Sequence, residues 1–296
     1  MKKFQVFTDT TSDVEKKFRE EYELDYLKMV FTIEGKTYDG DLDWKEMTPE
    51  DYYNKMRKGN RAVTGLVKND DAEAKIKAAL DAGLDVLYIA CSSKLSGSVN
   101  SVKIIADELL QSYPDRKVVS YDSLRSNYAE GMMAMDAAKW ALEGMDIDEC
   151  VKKLDETKLN YQVYATVATL DWLKKAGRVK ASTAFFGNLL GVKPIIVSDA
   201  LGNNYGFKKV KGRKNSLDEL VNIACERVIN PEESTIYIEH ADCLNDALYI
   251  KEQIEAKIKI KEINVSKLGP IIGATTGPDT ITINFFGHKV EIASGE

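Results

Sequence analysis

Four serines and a glycine fall within seven residues, Ser92-Ser93-Lys94-Leu95-Ser96-Gly97-Ser98, directly after the apolar run Val86–Ala90 and Cys91. A helical pattern follows, with Val102, Ile105, Ala106 and Leu109 on one face. Hydroxyls and a glycine at the mouth of a helix, where the first N–H groups lack intrahelical partners, suit a carboxylate or a phosphate. The helix dipole adds only about 0.3–2 kcal/mol, so such a loop orients an anion more than it holds one. Capping the helix is the ordinary role for Ser96 or Ser98, and it competes with the ligand role. Thr64, in Ala62-Val63-Thr64-Gly65-Leu66, offers a further hydroxyl from what reads as a loop. Arg178 follows Gly177, a helix stop, and supplies a cation.

No set of catalytic residues accompanies these groups. The chain has no GxSxG elbow, P-loop or HExxH, and no GxGxxG after its first strand. Ser96 and His240 would be the remaining Ser–His pair, but His240 more simply ends a strand. The two histidines and four scattered cysteines lack zinc or CxxC spacing, and His240-Ala241-Asp242-Cys243 has too few ligands for a metal. We therefore assign no catalytic residue, no metal and no cofactor, and read the cysteines as buried thiols.

The elements that must position these residues alternate. Phe4–Thr8 reads as a strand that runs into Asp9-Thr10-Thr11-Ser12-Asp13, with Ser12 and Glu15 as a capping box for a helix through Tyr22. Val86–Ala90 and its helix form a second unit. Lys117–Tyr121, Asp122-Ser123 and a long helix through Leu142 form a third. In each, polar residues fall at the carboxyl end of a strand, the edge where open parallel sheets bind ligands. Thr10, Ser93, Ser98, Asp122 and Ser123 are therefore candidates for the edge of a site.

The expected fold is α/β: an N-terminal, mostly parallel, Rossmann-like sheet domain over 1–157 and a C-terminal α/β sandwich with a mixed sheet over 158–296. A small β excursion interrupts the first near 29–47, before a helix starting at Thr48-Pro49-Glu50. In the second, Thr280–Phe285 alternates cleanly and reads as a hairpin across Gly287-His288 with Lys289–Ile292. Tyr161–Thr166, Ile195–Ser198 and Ser234–Glu239 complete the sheet, under helices at Leu170–Ala176, Ala181–Leu190, Ser216–Ile229 and Asn245–Lys257.

Composition narrows the classes. With 44% hydrophobic and 30% charged residues and a net charge of −6, the 296-residue chain reads as globular and would repel a nucleic-acid backbone. The cluster Lys208, Lys209, Lys211, Arg213 and Lys214 is a local exception, a solvated turn or a docking face. The N-terminus turns polar at Thr8-Asp9, unlike a secretion signal, and no apolar run approaches the ~20 residues of a membrane span. A cytoplasmic protein is expected.

Together the segments resemble the DegV family of bacterial fatty-acid-binding proteins. Thr8-Asp9-Thr10-Thr11-Ser12-Asp13 is similar to its TDSTSD signature and Ser92–Ser98 to its SSxLSGT loop. Asp122-Ser123, the Leu173–Pro194 run with Gly177-Arg178 and Lys193-Pro194, and Ile272-Gly273 through Thr276-Gly277-Pro278 follow in order. The resemblance implies a long-chain fatty acid, such as palmitate, stearate or oleate, held between two domains. Its carboxylate would lie at Thr64 and Ser96, with Gly97, Arg178 and Thr275 beside it. It also implies a separate fatty acid kinase that phosphorylates the presented carboxylate for phospholipid synthesis.

Two segments depart from the family pattern. Thr64-Gly65-Leu66-Val67-Lys68 stands for TSQPS, and Thr275 stands for the histidine of GTHTGPG. Thr275 offers a neutral hydroxyl only, which makes Arg178 the more attractive partner for an anion. The competing readings are an enzyme acting on a small acyl or phosphorylated substrate at the same edge, and an interaction protein docking through Lys208–Lys214 and Gly35–Trp44.

Overall fold

The computed structural model describes residues 2–180 and 191–292. In chain order the strands are β1 Phe4–Asp9, β2 Asp25–Leu27, β3 Met29–Ile33, β4 Lys36–Gly40, β5 Val63–Val67, β6 Asp85–Ala90, β7 Val118–Asp122, β8 Tyr161–Thr166, β9 Val179–Lys180, β10 Val192–Ser198, β11 Asn204–Lys211, β12 Thr235–His240, β13 Glu262–Lys267 and β14 Ile281–Phe286. The helices are α1 Lys16–Glu21, α2 Pro49–Arg57, α3 Asn69–Asp81, α4 Ser98–Leu109, α5 Asn127–Leu142, α6 Ile147–Thr157, α7 Asp171–Ala176, α8 Arg213–Arg227, α9 Leu244–Lys257 and α10 Pro270–Thr276. None of them is long and apolar enough to cross a membrane.

A wholly parallel sheet in the order β2-β1-β6-β7 anchors the first half of the chain. Alternation along its strands feeds two cores. Phe4, Val6, Leu87 and Ile89 face α5 and α6, whereas Phe7, Val86, Tyr88 and Ala90 face α3 and α4. Burial of β6 on both faces explains its uninterrupted apolar run. The later strands form a mixed sheet, β13-β12-β14-β8-β10-β11-β9, in which β12–β13 and β11–β9 are parallel and the other pairs antiparallel. Its core packs Ile236, Ile238, Ile283 and Phe285 against Leu220 and Val221 of α8 and Ile250 and Ile254 of α9.

The α5 helix lies between the two sheets and contacts both β1 and β8. It is buried almost all round, which accounts for its small and apolar residues on every face. A Cβ at Gly131 would fall 2.6 Å from Ser12 O and 2.5 Å from Val14 Cγ2, so only glycine permits this approach. On the mixed-sheet side Tyr128 stacks on Tyr237, with ring centroids 4.3 Å apart.

Three local expectations change, and a fourth lies outside the described residues. The Ser12–Glu15 capping box does not form: Asp9 Oδ1 accepts Thr11 N–H at 2.9 Å, the chain turns left-handed at Asp13, and α1 waits until Lys16. Thr64 lies on a strand rather than a loop, because the excursion is completed by β5 into a small antiparallel sheet, β4-β3-β5. The hairpin after β14 is absent because β8 and β12 already occupy both edges of that strand. The chain instead sends Val290 N–H to Leu159 O at 2.9 Å and accepts Ala200 N–H on Ile292 O at 2.7 Å. The proposed helix at Ala181–Leu190 falls outside the described residues.

Candidate ligand-binding cleft

A cleft of about 420 Å³ opens where the carboxyl ends of β1 and β6 meet β5 and α10. Thr64, Ser96, Gly97, Arg178 and Thr275 all line it, and Ser93 joins them. These residues come from four separate parts of the chain, β5, the β6–α4 loop, the turn after α7 and α10, and α10 is brought to β5 from the far end of the chain. Two tyrosines of α2 hold that helix in place. Tyr52 OH donates to Pro270 O and Tyr53 OH to Leu268 O, each at 2.7 Å.

The serine loop is built before any ligand is considered. Ser92 O accepts the N–H groups of Leu95 and Ser96, and Asp122 Oδ1 accepts Ser93 N–H at 3.1 Å. Gly97, not a serine, occupies the N-cap of α4. Ser96 Oγ accepts Ser98 N–H at 3.2 Å and lies 2.9 Å from Ser98 Oγ. Lys94 and Arg178 line the opening beside the mouth of α4, and each brings a cation to it. Arg178 is exposed, and its Nη1 donates to Ala176 O at 2.5 Å.

Thr10, Ser98, Asp122 and Ser123 are outside the lining, and backbone partners occupy them. Thr10 Oγ1 donates to Gly40 O at 2.7 Å and accepts Met29 N–H at 3.0 Å. Ser98 Oγ accepts Val67 N–H at 3.2 Å, tying β5 to α4. Asp122 also accepts Leu124 N–H, and Ser123 Oγ exchanges bonds with the backbone of Arg125. Ser98→Ala is expected to cost about 1–2 kcal/mol in urea denaturation, because a buried N–H loses its acceptor. Ser93→Ala, on an exposed residue, should stay within about 0.5 kcal/mol.

Sequence reasoning passed over Thr11, Cys91, Ser126, Asn204, Ile271, Ile272 and Thr276 as lining residues. Thr11 is beside Thr10 in the same turn, and only the sense of that turn decides which of the two faces the cleft. Ser126 carried a faint signal, a serine opening the long helix after Asp122-Ser123. Nothing local marks Asn204.

Beneath the cleft is a buried acidic layer. Thr11 Oγ1 lies 2.5 Å from Asp9 Oδ1 and 2.6 Å from Glu130 Oε2, while Thr8 Oγ1 donates to Glu130 and Tyr88 OH to Asp9. One hydroxyl proton cannot serve both carboxyls. Burial and the neighbouring Asp9 push Glu130 well above the usual carboxylate range, so Glu130 stays protonated and donates to Thr11, which donates to Asp9. Burial, with Glu130 and Asp9 nearby, also raises the Cys91 thiol, leaving it protonated and a poor nucleophile.

Neither histidine reaches the cleft lining, and His240 Nδ1 accepts Cys243 N–H at 3.3 Å, so the Ser96–His240 pair is not assembled. Among the described residues no His, Cys, Asp and Glu group of metal-binding size occurs. In the basic run, Lys208, Arg213 and Lys214 pair with Glu219, Asp246 and Asp218.

Behind the cleft a slot of about 40 Å³ shares Ser126, Asn204, Ile272 and Thr276 with it and continues between Val163, Ala165, Leu173, Ile196 and Val197. A parallel sheet is thus joined to a mixed one, with a hydroxyl-rich cleft at the strand ends leading into an apolar slot, the arrangement of a two-sheet α/β fold. The chain belongs to the DegV family, described as "Uncharacterised protein, DegV family", whose model matches residues 3–287. A DegV domain-containing protein of Clostridium perfringens is 35% identical over 291 residues, covering 98% of this chain and 100% of the relative. Among solved structures, a DegV family protein from Thermus thermophilus described for its fatty acid binding is 25% identical with a TM-score of 0.84, covering 97% of this chain and 100% of that one. DegV of Bacillus subtilis, described as a fatty acid binding protein, has the same TM-score and coverage at 24% identity.

Proposed function

We propose that this protein binds a long-chain fatty acid between a unit of residues 1–157 and one of 158–296. The carboxylate is received at Thr64, Ser96 and Gly97, with Arg178 and Thr275 beside it, and the tail enters the apolar slot. The observation that carries this reading is the continuity of the cleft with that slot through Ile272 and Thr276. The fatty-acid-binding descriptions of the Thermus thermophilus and Bacillus subtilis proteins support it.

The energetics divide accordingly. A tail of ~15 methylenes at roughly 0.8 kcal/mol each offers about 12 kcal/mol of gross burial before ordering costs. The head group needs donors in exchange for water, and hydroxyls, helix amides and a guanidinium supply them. The slot is narrower than a tail requires, so binding parts Leu173 and Ile272 from the surface of β8 and β10. Thr275 leaves the anion with a single guanidinium, Arg178, at the mouth, where a partner fatty acid kinase would reach the carboxylate and form the acyl phosphate.

Native mass spectrometry of gently purified protein, followed by denaturing extraction, tests this. The expected result is one long-chain acid per chain, with delipidated protein taking up palmitate, stearate or oleate and forming no acyl phosphate from ATP unless a kinase is added. Protein that remains empty with all three acids would sink the reading, and acyl phosphate formed by the chain alone would replace it with an enzyme.

A further inference from the structure

Asp13 and Glu239 meet in the interior where the turn after β1 touches the end of β12. Asp13 Oδ2 accepts Gly269 N–H at 3.0 Å. Glu239 Oε2 accepts Thr282 Oγ1 at 2.9 Å and Asn284 Nδ2 at 3.0 Å. The two carboxyl groups adjoin, with the Tyr128 N–H also facing Glu239, and Asp13 Oδ1 and Glu239 Oε1 are both buried without a partner in hydrogen-bond geometry. Carboxylates accept only, so this contact needs a proton between the two oxygens.

What surrounds the pair favours that proton. Asp9 faces it from β1, Glu130 and Tyr128 from α5, and Tyr53 from α2; Glu15 lies behind Tyr128, whose OH it accepts at 3.3 Å. His240 follows Glu239 on β12 and is held below its usual range by burial, and the Cys243 thiol lies toward Tyr53. Burial pushes Asp13 up to about 7 and Glu239 well above the usual carboxylate range. Gly269, the residue held by Asp13, is the N-cap of α10, and a Cβ there would fall 1.9 Å from Asp13 Oδ1. One turn further on, Ile271, Ile272, Thr275 and Thr276 form a wall of the cleft.

We propose that Asp13 and Glu239 share a proton across this seam and act as positioning residues for α10, so that the helix loosens and ligand is held less tightly as pH rises. The native pair holds a proton that the unfolded chain releases near the ordinary carboxylate pKa of about 4. Stability from the pair is therefore complete below that value and is lost as pH rises through about 7. The consequence for ligand rests on the cleft being the fatty-acid site; the consequence for α10 does not.

Glu239→Gln tests the proposal, since the amide can keep its oxygen toward Thr282 and Asn284 and donate to Asp13 Oδ1 without a titrating proton. Between about pH 5 and 7, the unfolding equilibrium constant of the wild type in urea is expected to rise about tenfold per pH unit more steeply than that of the variant, the signature of one proton. Amide hydrogen exchange over 270–277, taken as the ratio of wild type to variant, should rise over the same range. Parallel urea slopes would overturn the shared proton, and a constant exchange ratio would overturn the positioning of α10. Asp13→Asn gives the same readings if the glutamine variant does not fold. The affinity ratio for a fluorescent long-chain fatty acid, variant over wild type, should climb with pH. If neither protein binds it, the fatty-acid reading fails while the urea and exchange results still decide this one.

Discussion

Arg125→Met is expected to lower stability by about 3–5 kcal/mol, the largest loss we expect from any one side chain here. Arg125 is completely buried at the turn between β7 and α5. Its Nε donates to Tyr161 O at 2.7 Å, and its Nη1 to Leu124 O at 2.8 Å and Asp199 O at 2.9 Å. It thereby fastens the end of the parallel sheet to the first residue of β8 and to the turn beyond β10. Burial pulls the guanidinium down to about 10, which still leaves it charged at neutral pH. Methionine refills most of the volume and donates nothing, so three carbonyls lose their partner in a dry interior. Ser92 Oγ closes the same seam by donating to Gly202 O at 2.7 Å, and Ser92 N–H donates to Arg125 O at 2.7 Å. The variant should therefore also disturb the serine loop. Urea denaturation measures the loss; a change below about 1 kcal/mol would show that the seam does not depend on this residue.

The second large effect concerns affinity. Thr64→Val combined with Ser96→Ala removes two hydroxyls proposed to bond an anionic head group, and bonds to charged groups are worth about 1.5–3 kcal/mol each. Together they should weaken fatty-acid binding by roughly 100-fold to 20,000-fold. The factor should be the same for palmitate and stearate, since the added methylenes lie at the other end of the ligand. Titration of the delipidated variant measures it, with Ser112→Ala, on an exposed residue away from the cleft, as the control within about 3-fold of wild type. An unchanged dissociation constant would move the head group away from this loop. Because Ser96 Oγ also contacts Ser98, the variant's urea midpoint must accompany the titration.

These predictions rest on different kinds of information. The serine loop and its helix are legible because an apolar run, a polar break and a 3.6-residue period are local patterns. Arg125 carries no such mark. An arginine in a polar turn reads as solvated until β8 and the turn at Asp199 close over it. The Asp13–Glu239 contact joins residues far apart in sequence, and Glu239 within an alternating strand gives no sign of which buried group it meets.

The sequence by itself determined the alternation of strands and helices, the mixed character of the later sheet, and the clustering of polar residues at the carboxyl ends of β1, β6 and β7. Periodicity assigns each side chain to a face of its own element, and that is enough to order the layers. Tertiary structure alone decided which hydroxyls enter the cleft. Thr11 faces it while Thr10 is taken by Gly40 O, and Ser96 faces it while Ser98 is taken by Val67 N–H. It also put Thr64 on a strand, cancelled the capping box at Ser12 when Asp9 captured the turn, and sent residues 289–292 to other backbone partners because β14 had no free edge. The physical reason is common to all of these: a short polar side chain bonds whichever backbone group the fold brings within about 3 Å, and local sequence does not specify that neighbour.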